Sequence, residues 1–285
     1  MHMNLPLSKP SECPFSSINT GYDSVFQRDR LSIGLVVPLE NYDRSAVPEM
    51  EHHVQRVQLA EDLGFSAIWL RDVPFDVPSF GDAGQLFDPF VYLGSLAAQT
   101  SRIALGVASV ILPLRHPAHV AKAAATADAF SNGRLILGVA SGDRPEEYPA
   151  INVPYELRGE LFRESYDYIR NVGEDSPTFK NVRGEVRGGI NMLPKPHGAR
   201  LPLLVTGNTQ AQLVATFRAS SEVAGHVSKP VMEPLYVDIV DDANAQPTPI
   251  HLGIRTGINH LRDYLLVRQT IGVNHVALNL RFNNA

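Results

Sequence analysis

The residues of this chain that could do chemistry are those standing at the ends of its apolar runs, and they are few. Arg71-Asp72 closes the run Ser66 to Leu70, Ala108-Ser109 lies within Ile103 to Leu112, and Ser141-Gly142-Asp143-Arg144 follows Arg134 to Val139. Gly207-Asn208-Thr209 follows Leu201 to Thr206, and Glu40 and His226 complete the set. Arg71-Asp72 reads either as a salt bridge at a rim or as a pair lining a substrate. The other positions are mostly small or hydrogen-bonding groups, which suits a bound cofactor that brings its own reactivity better than acid-base chemistry by the protein. Ser141-Gly142 and Gly207-Asn208-Thr209 each precede a helical segment. Their hydroxyls and backbone N–H groups could converge on a phosphate, and they serve equally well as N-caps in ordinary β-α turns.

Other chemistries find little support. His116 and His119 stand three apart with Asp128 further along the same helix, but no third ligand lies at motif distance, so no metal site is expected. Ser141 in VASGD lacks the G-x-S-x-G frame of a nucleophile elbow. A net charge of -5 over 285 residues, 19% of them charged, offers no basic footprint for nucleic acid. Cys13 is the only cysteine, which rules out an intrachain disulfide and fits a reducing, cytoplasmic location. No apolar stretch has the length of a signal peptide or a membrane span, so no membrane association is expected.

The elements that must position these residues alternate. Residues 1–30, rich in Pro and Ser, read as an extended arm, and residues 31–285 as one domain. The run Leu31 to Val37 is nearly all apolar, as for a parallel strand covered on both faces. From Pro48 a helix follows in which Val54, Val57, Leu59 and Leu63 form an apolar stripe, closed by Gly64. Helices over about 88–100, 116–130, 155–172 and 258–271 separate further strands at 66–70, 103–112, 134–139, 201–206, 222–226, 235–240 and 275–280. Regular alternation with eight strands predicts an α/β fold, a (β/α)8 TIM barrel; an open doubly wound sheet would carry a G-x-G-x-x-G turn after its first strand, and none is present. Only eight residues, Val227 to Pro234, separate the sixth and seventh strands, too few for a helical crossover. Five residues follow the last strand. The expectation is a barrel trimmed at its sixth crossover and last helix.

Arg115-His116-Pro117, Ala121-Lys122 and the string ADAFSNGRLILGV (Ala127 to Val139) resemble the luciferase-like flavin-dependent monooxygenases. AEDLGFSAIWLRD (Ala60 to Asp72), NMLPKP (Asn191 to Pro196), LPLLVTGN and GVNHVAL (Gly272 to Leu278) match in the same order. The resemblance implies a barrel with FMN, or in one branch the deazaflavin F420, at its mouth. Ala108-Ser109 would lie under the flavin ring on a bulge that is often a non-prolyl cis peptide. Ser141, Gly142 and Asp143 would approach the phosphate, with Gly207, Asn208 and Thr209 in the next loop. Asp72 stands where luciferases carry a catalytic histidine, and Ser141 where they carry an arginine, which leaves Arg144 as the charge partner for the phosphate. On this reading Arg71 and Asp72 are catalytic, and Glu40 and His226 line the substrate. The cofactor is FMN reduced by a separate reductase, the co-substrate O2, and the assembly a homodimer. An F420-dependent oxidoreductase and a non-catalytic flavin-binding protein are the alternatives.

Overall fold

A computed structural model describes residues 15–198, 200–206, 223, 225 and 229–283. Its main sheet begins with β1 (Ser32–Val36), β2 (Ala67–Leu70), β3 (Ala104–Ile111) and β4 (Leu135–Ala140). A small antiparallel hairpin, β5 (Phe179–Asn181) and β6 (Gly184–Val186), stands apart from it. The sheet resumes with β7 (Leu203–Val205), β8 (Met232–Ile239), β9 (Thr248–Ile250), β10 (Gly253–Thr256) and β11 (His275–Asn279). The nine strands of the sheet lie in the order β7-β4-β3-β2-β1-β11-β8-β10-β9, parallel throughout except β9 against β10. That is the succession of a (β/α)8 barrel, and among the described residues it stays open between β7 and β9. Of the sixth strand expected at 222–226, only Val223 and Gly225 are described, helical and in a turn. β10 instead pairs with the free side of β8.

Helices α1 (Thr20–Val25), α2 (His53–Asp62), α3 (Pro89–Gln99), α4 (Pro117–Phe130), α5 (Glu147–Ala150), α6 (Arg158–Val172) and α7 (Ile258–Thr270) complete the described elements. Two sequence expectations need correction here. Helix α2 starts at His53 rather than Pro48, because the Glu40 carboxylate takes the N–H groups of Glu49 (2.7 Å) and Met50 (3.2 Å) that would otherwise begin the helix. Its buried face is Val57 and Ala60, whereas Leu59 and Leu63 are 56% and 68% exposed. The second correction concerns the arm, whose residues 20–25 are helical. Asn19 caps α1 through Tyr22 N–H and donates to Asp128 Oδ1 and the Leu135 carbonyl, so the segment is pinned to α4 and β4.

Alternate strand residues divide the core in two. One set, with Leu35, Ile68, Leu105 and Leu137, packs under the helices; the other, with Val36, Ala67, Trp69, Ala104, Ile136 and Ala277, faces the opposite way and is covered by Val25 and Phe26. Trp69 fills that inner side because its neighbours are small. A Cβ on Gly106 would stand 2.3 Å from the indole. On Gly138 a Cβ would stand 2.0 Å from the Val107 carbonyl oxygen, backbone that cannot swing aside. Gly138→Ala is therefore expected to cost about 1–3 kcal/mol, read as a lower urea midpoint at unchanged slope; wild-type stability would show that β3 and β4 approach less closely.

Candidate functional site

The carboxyl ends of the parallel strands form one mouth. At its centre β3 changes character: Ala108 and Ser109 are half-exposed within an otherwise buried strand, joined by a non-prolyl cis peptide. Pairing with β4 slips by one residue here, from Val107↔Leu137 to Val110↔Val139. The bulge turns two small side chains toward the opening. Ser109 Oγ donates to Thr206 Oγ1 at the end of β7 (2.8 Å), so a pair of hydroxyls borders the space. On the next strand Ser141 and Gly142 are half-buried and Asp143 is exposed. Gly142 has φ +80, and a Cβ there would meet Ile111 and the Tyr148 hydroxyl. The Tyr148 hydroxyl donates to the Ser141 carbonyl and fixes the turn. A planar ring laid against small side chains fits this place, which Ala108, Ser109, Ser141 and Gly142 border together with Thr206, a residue that sequence reading did not single out. Gly207, Asn208, Thr209 and His226 lie outside the described residues.

Asp72 is enclosed, and Glu40, although it borders an open pocket with Tyr42 and Arg56, is engaged by its neighbours. Asp72, its side chain 1% exposed, accepts from Arg115 through both oxygens, Nη2 to Oδ1 at 2.6 Å and Nε to Oδ2 at 2.9 Å, and from Ile111 N–H at 3.1 Å. Arg115 also pairs with Asp88, the N-cap of α3 (3.0 Å). Asp72 is thus a clasp from β2 to the residues after the bulge. Glu40, besides capping Glu49 and Met50, pairs with Arg56 (2.7 Å) and belongs to the same class of clasp. Asp128 accepts from Asn19 and from His197 N–H, and His116 caps α4 through Ala118 N–H; among the described residues no three His, Cys, Asp or Glu side chains cluster as metal ligands would. Arg134, within the sequence motif, is structural too. Its guanidinium donates to the carbonyls of Ala97, Thr100 and Ile103, closing the end of α3.

Arg71 leads to a cluster that sequence reading missed. Its Nη1 donates to Asp82 Oδ2 (2.7 Å), Arg281 Nη1 stands 3.4 Å from the same oxygen, and Arg144 Nη2 donates to the Asp82 carbonyl (3.0 Å). Tyr42 and Gly84 N–H hold Oδ1. Burial raises the Asp82 carboxyl, but attraction and hydrogen bonding from Arg71, joined by Gly84 N–H and Arg281, together outweigh it and its pKa lies below the usual value. Burial opposes the Arg71 charge too, and Asp82 restores it, leaving that pKa raised. For Arg144 burial wins, seconded by repulsion from Arg71, and its pKa falls. Asp82 sits in a loop with no periodic signal, 11 residues beyond Arg71, and only its Asp-x-Gly turn to Gly84 hinted at order.

Two relatives of known sequence are informative. An uncharacterised protein of Mycobacterium tuberculosis (strain ATCC 25618 / H37Rv) is 28% identical over 196 residues, 63% of this chain and 67% of the relative. The oxygenase component of a flavin-dependent trigonelline monooxygenase from Acinetobacter baylyi is 28% identical over 202 residues, 70% of this chain and 49% of the relative, so the chain spans about half of that protein. Among solved structures, an F420-dependent secondary alcohol dehydrogenase complexed with an F420-acetone adduct superposes with TM-score 0.72 at 16% identity, over 90% of this chain and 94% of that one. The oxygenating constituent of 3,6-diketocamphane monooxygenase from Pseudomonas putida, complexed with FMN, gives TM-score 0.60 at 17% identity over 74% and 68%. Both share the fold described above, that of the TIM barrels. The luciferase-like monooxygenase family model matches residues 31–223. That match runs through β1 to β7, the strands that build the bulge and the mouth around it, and on it the chain belongs to the luciferase-like monooxygenase family.

Proposed function

We propose that this chain is the oxygenase of a flavin-dependent monooxygenase, taking reduced FMN from a separate reductase and using O2 on a small organic substrate. The observation that carries the reading is the opening at Ala108-Ser109, a place of small side chains in a strand otherwise buried at Ala104 to Val107. The relative from Acinetobacter, an oxygenase component by name, supports the two-component arrangement. Bound there, reduced FMN supplies two electrons to O2, so that one oxygen atom enters the substrate and the other leaves as water.

The chain's own part is to bind, orient and exclude water. Ala108 leaves room for a ring, the Ser109 and Thr206 hydroxyls would offer it hydrogen bonds, and Ser141, Gly142 and Asp143 would form the loop that receives its phosphate. Trp69 and the residues packed on it make a dry floor. Arg71 is held at the rim by Asp82. Asp72 positions the bulge through Ile111 and Arg115 and takes no part in proton transfer.

The fold neighbour with F420 favours a second reading, hydride transfer with deazaflavin at the same place. Titration of the purified protein with reduced FMN and reduced F420, followed by fluorescence, separates the two. FMN is expected to bind in the micromolar range, about -8 kcal/mol, and Ser109→Leu to weaken it about ten-fold, roughly 1.4 kcal/mol, with circular dichroism unchanged. Tighter binding of F420 would reverse the order of the readings. Bound flavin that consumes no oxygen with any substrate would leave only a flavin-binding protein, and no binding of either cofactor would remove all of them.

A further inference from the structure

The cluster around Asp82 gathers more guanidinium groups than that one carboxylate can pair directly. Three guanidinium groups, of Arg71, Arg144 and Arg281, meet at this one residue, and a single carboxylate oxygen serves two of them. Arg144 is 5% exposed, and its Nη1 has no hydrogen-bond partner. Glu147 and Asp143 attract Arg144 at longer range without a hydrogen bond to it, and Glu147 is itself buried with Oε1 unpartnered. Burial raises the Glu147 pKa, against the attraction of Arg144 that lowers it. A buried guanidinium donor left without an acceptor is costly unless something else brings one.

The surroundings suit a planar oxyanion. The Arg144 guanidinium lies 4.0 Å over the Phe80 ring and that of Arg281 4.8 Å over Tyr42, so aromatic faces cover the flat sides of the forks and leave their edges to hydrogen bond. A carboxylate matches such an edge with two parallel bonds. The position is equally telling. Arg71 follows β2, Arg281 follows β11 and Tyr42 follows β1, in the middle of the strand order, whereas the Ser141 turn and Thr206 follow β4 and β7 at one edge of it. The Arg144 side chain therefore leaves its own loop and joins the loop that follows β2, at Phe80 and Asp82.

We infer that Arg144, backed by Arg71 and Arg281, is the recognition site for an anionic group on the substrate, and that the protein acts on small organic acids. The word substrate rests on the flavin reading above; the anion site itself does not. The same oxyanion chemistry could come from the cofactor's phosphate, and the experiment distinguishes the two sources.

Calorimetry of the intact protein with benzoate and with benzamide, with and without FMN, tests the inference. Benzoate is expected to bind about ten-fold or more tightly than its neutral isostere, because the unpaired guanidinium rejects a partner without charge. Arg144→Met should abolish that preference while leaving the affinities for FMN and riboflavin unchanged, and Arg144→Lys, which keeps the charge without the fork, should retain part of it. The wild-type comparison needs no variant to fold. Equal affinity for benzoate and benzamide overturns the inference. So does an Arg144→Met protein that loses FMN but not riboflavin, since the guanidinium would then hold the cofactor phosphate. Preferential benzoate binding by a protein that takes neither FMN nor F420 upholds the anion site and removes the flavin reading instead.

Discussion

Asp72→Ala is expected to lower the unfolding free energy by about 3–5 kcal/mol, the cost of removing one partner from a buried ion pair. The size follows from what is left behind. Asp72 is enclosed and accepts three hydrogen bonds, two from Arg115 and one from Ile111 N–H. Without it the guanidinium keeps only Asp88 on its acidic side, and the backbone after the bulge loses its tether. Urea melts of Asp72→Ala, Arg115→Ala and the double variant form a cycle. The double variant should be markedly less damaged than the sum of the singles, because neither buried charge is then unpaired. A catalytic carboxylate would give the opposite pattern, with stability near wild type and activity lost, and that outcome would remove the clasp.

The second large effect is acid sensitivity from His275. This ring is fully buried between β1 and β2; Trp69 Nε1 donates to its Nε2 at 2.8 Å, so Nδ1 carries the proton and donates to Ser32 Oγ at 2.6 Å, which in turn donates to the Val25 carbonyl at 2.7 Å. Each donor has one acceptor, and the chain is complete only with a neutral imidazole. Burial lowers the His275 pKa from 6.5 to about 3. The folded state thus binds its proton less readily than the unfolded chain. The stabilisation is fully present above pH 6.5 and is lost as pH falls toward 3, by about 1.4 kcal/mol per pH unit. Between pH 6.5 and 4.5 this amounts to roughly 3 kcal/mol. Denaturant midpoints for wild type and His275→Gln over that range should show the steep decline in the wild type and a flatter one in the variant, whatever its absolute stability. Asp128 and Glu147, whose carboxyls burial pushes up, act in the opposite sense and are common to both proteins. Parallel pH profiles would mean that His275 is not the titrating group.

Both predictions concern residues whose roles depend on partners distant in the chain: Asp72 meets Arg115 43 positions on, and His275 meets Trp69 206 positions back. Local pattern cannot report such pairs. It did report the elements, since apolar runs and amphipathic helices are imposed by the few residues on either side. The parallel α/β order, the small residues at the end of β3 and the turn at Gly142 were therefore legible in the amino-acid sequence. The stripe through Leu59 and Leu63 was misread because the spacing of apolar residues does not say which face meets the sheet. The start of α2 was misread because Glu40, nine residues before Glu49, captures the N–H groups there. The arm was misread because the burial of Val25 and Phe26 is supplied by the barrel interior, and Pro and Ser content carries no record of it.

The site divides along the same line. By itself the sequence determined that the strand ends would be small and weakly equipped for acid-base chemistry, because residue type and strand position are local properties. Only the tertiary structure decided which charges are spent and which are free. Asp72 and Glu40 are consumed by arginines from other elements, while Arg144 keeps a buried donor unpaired beside Asp82. The physical reason is that a charge acts through its few nearest neighbours at about 3–4 Å, and in a parallel α/β sheet those neighbours arrive from strands whose order in space differs from their order along the chain.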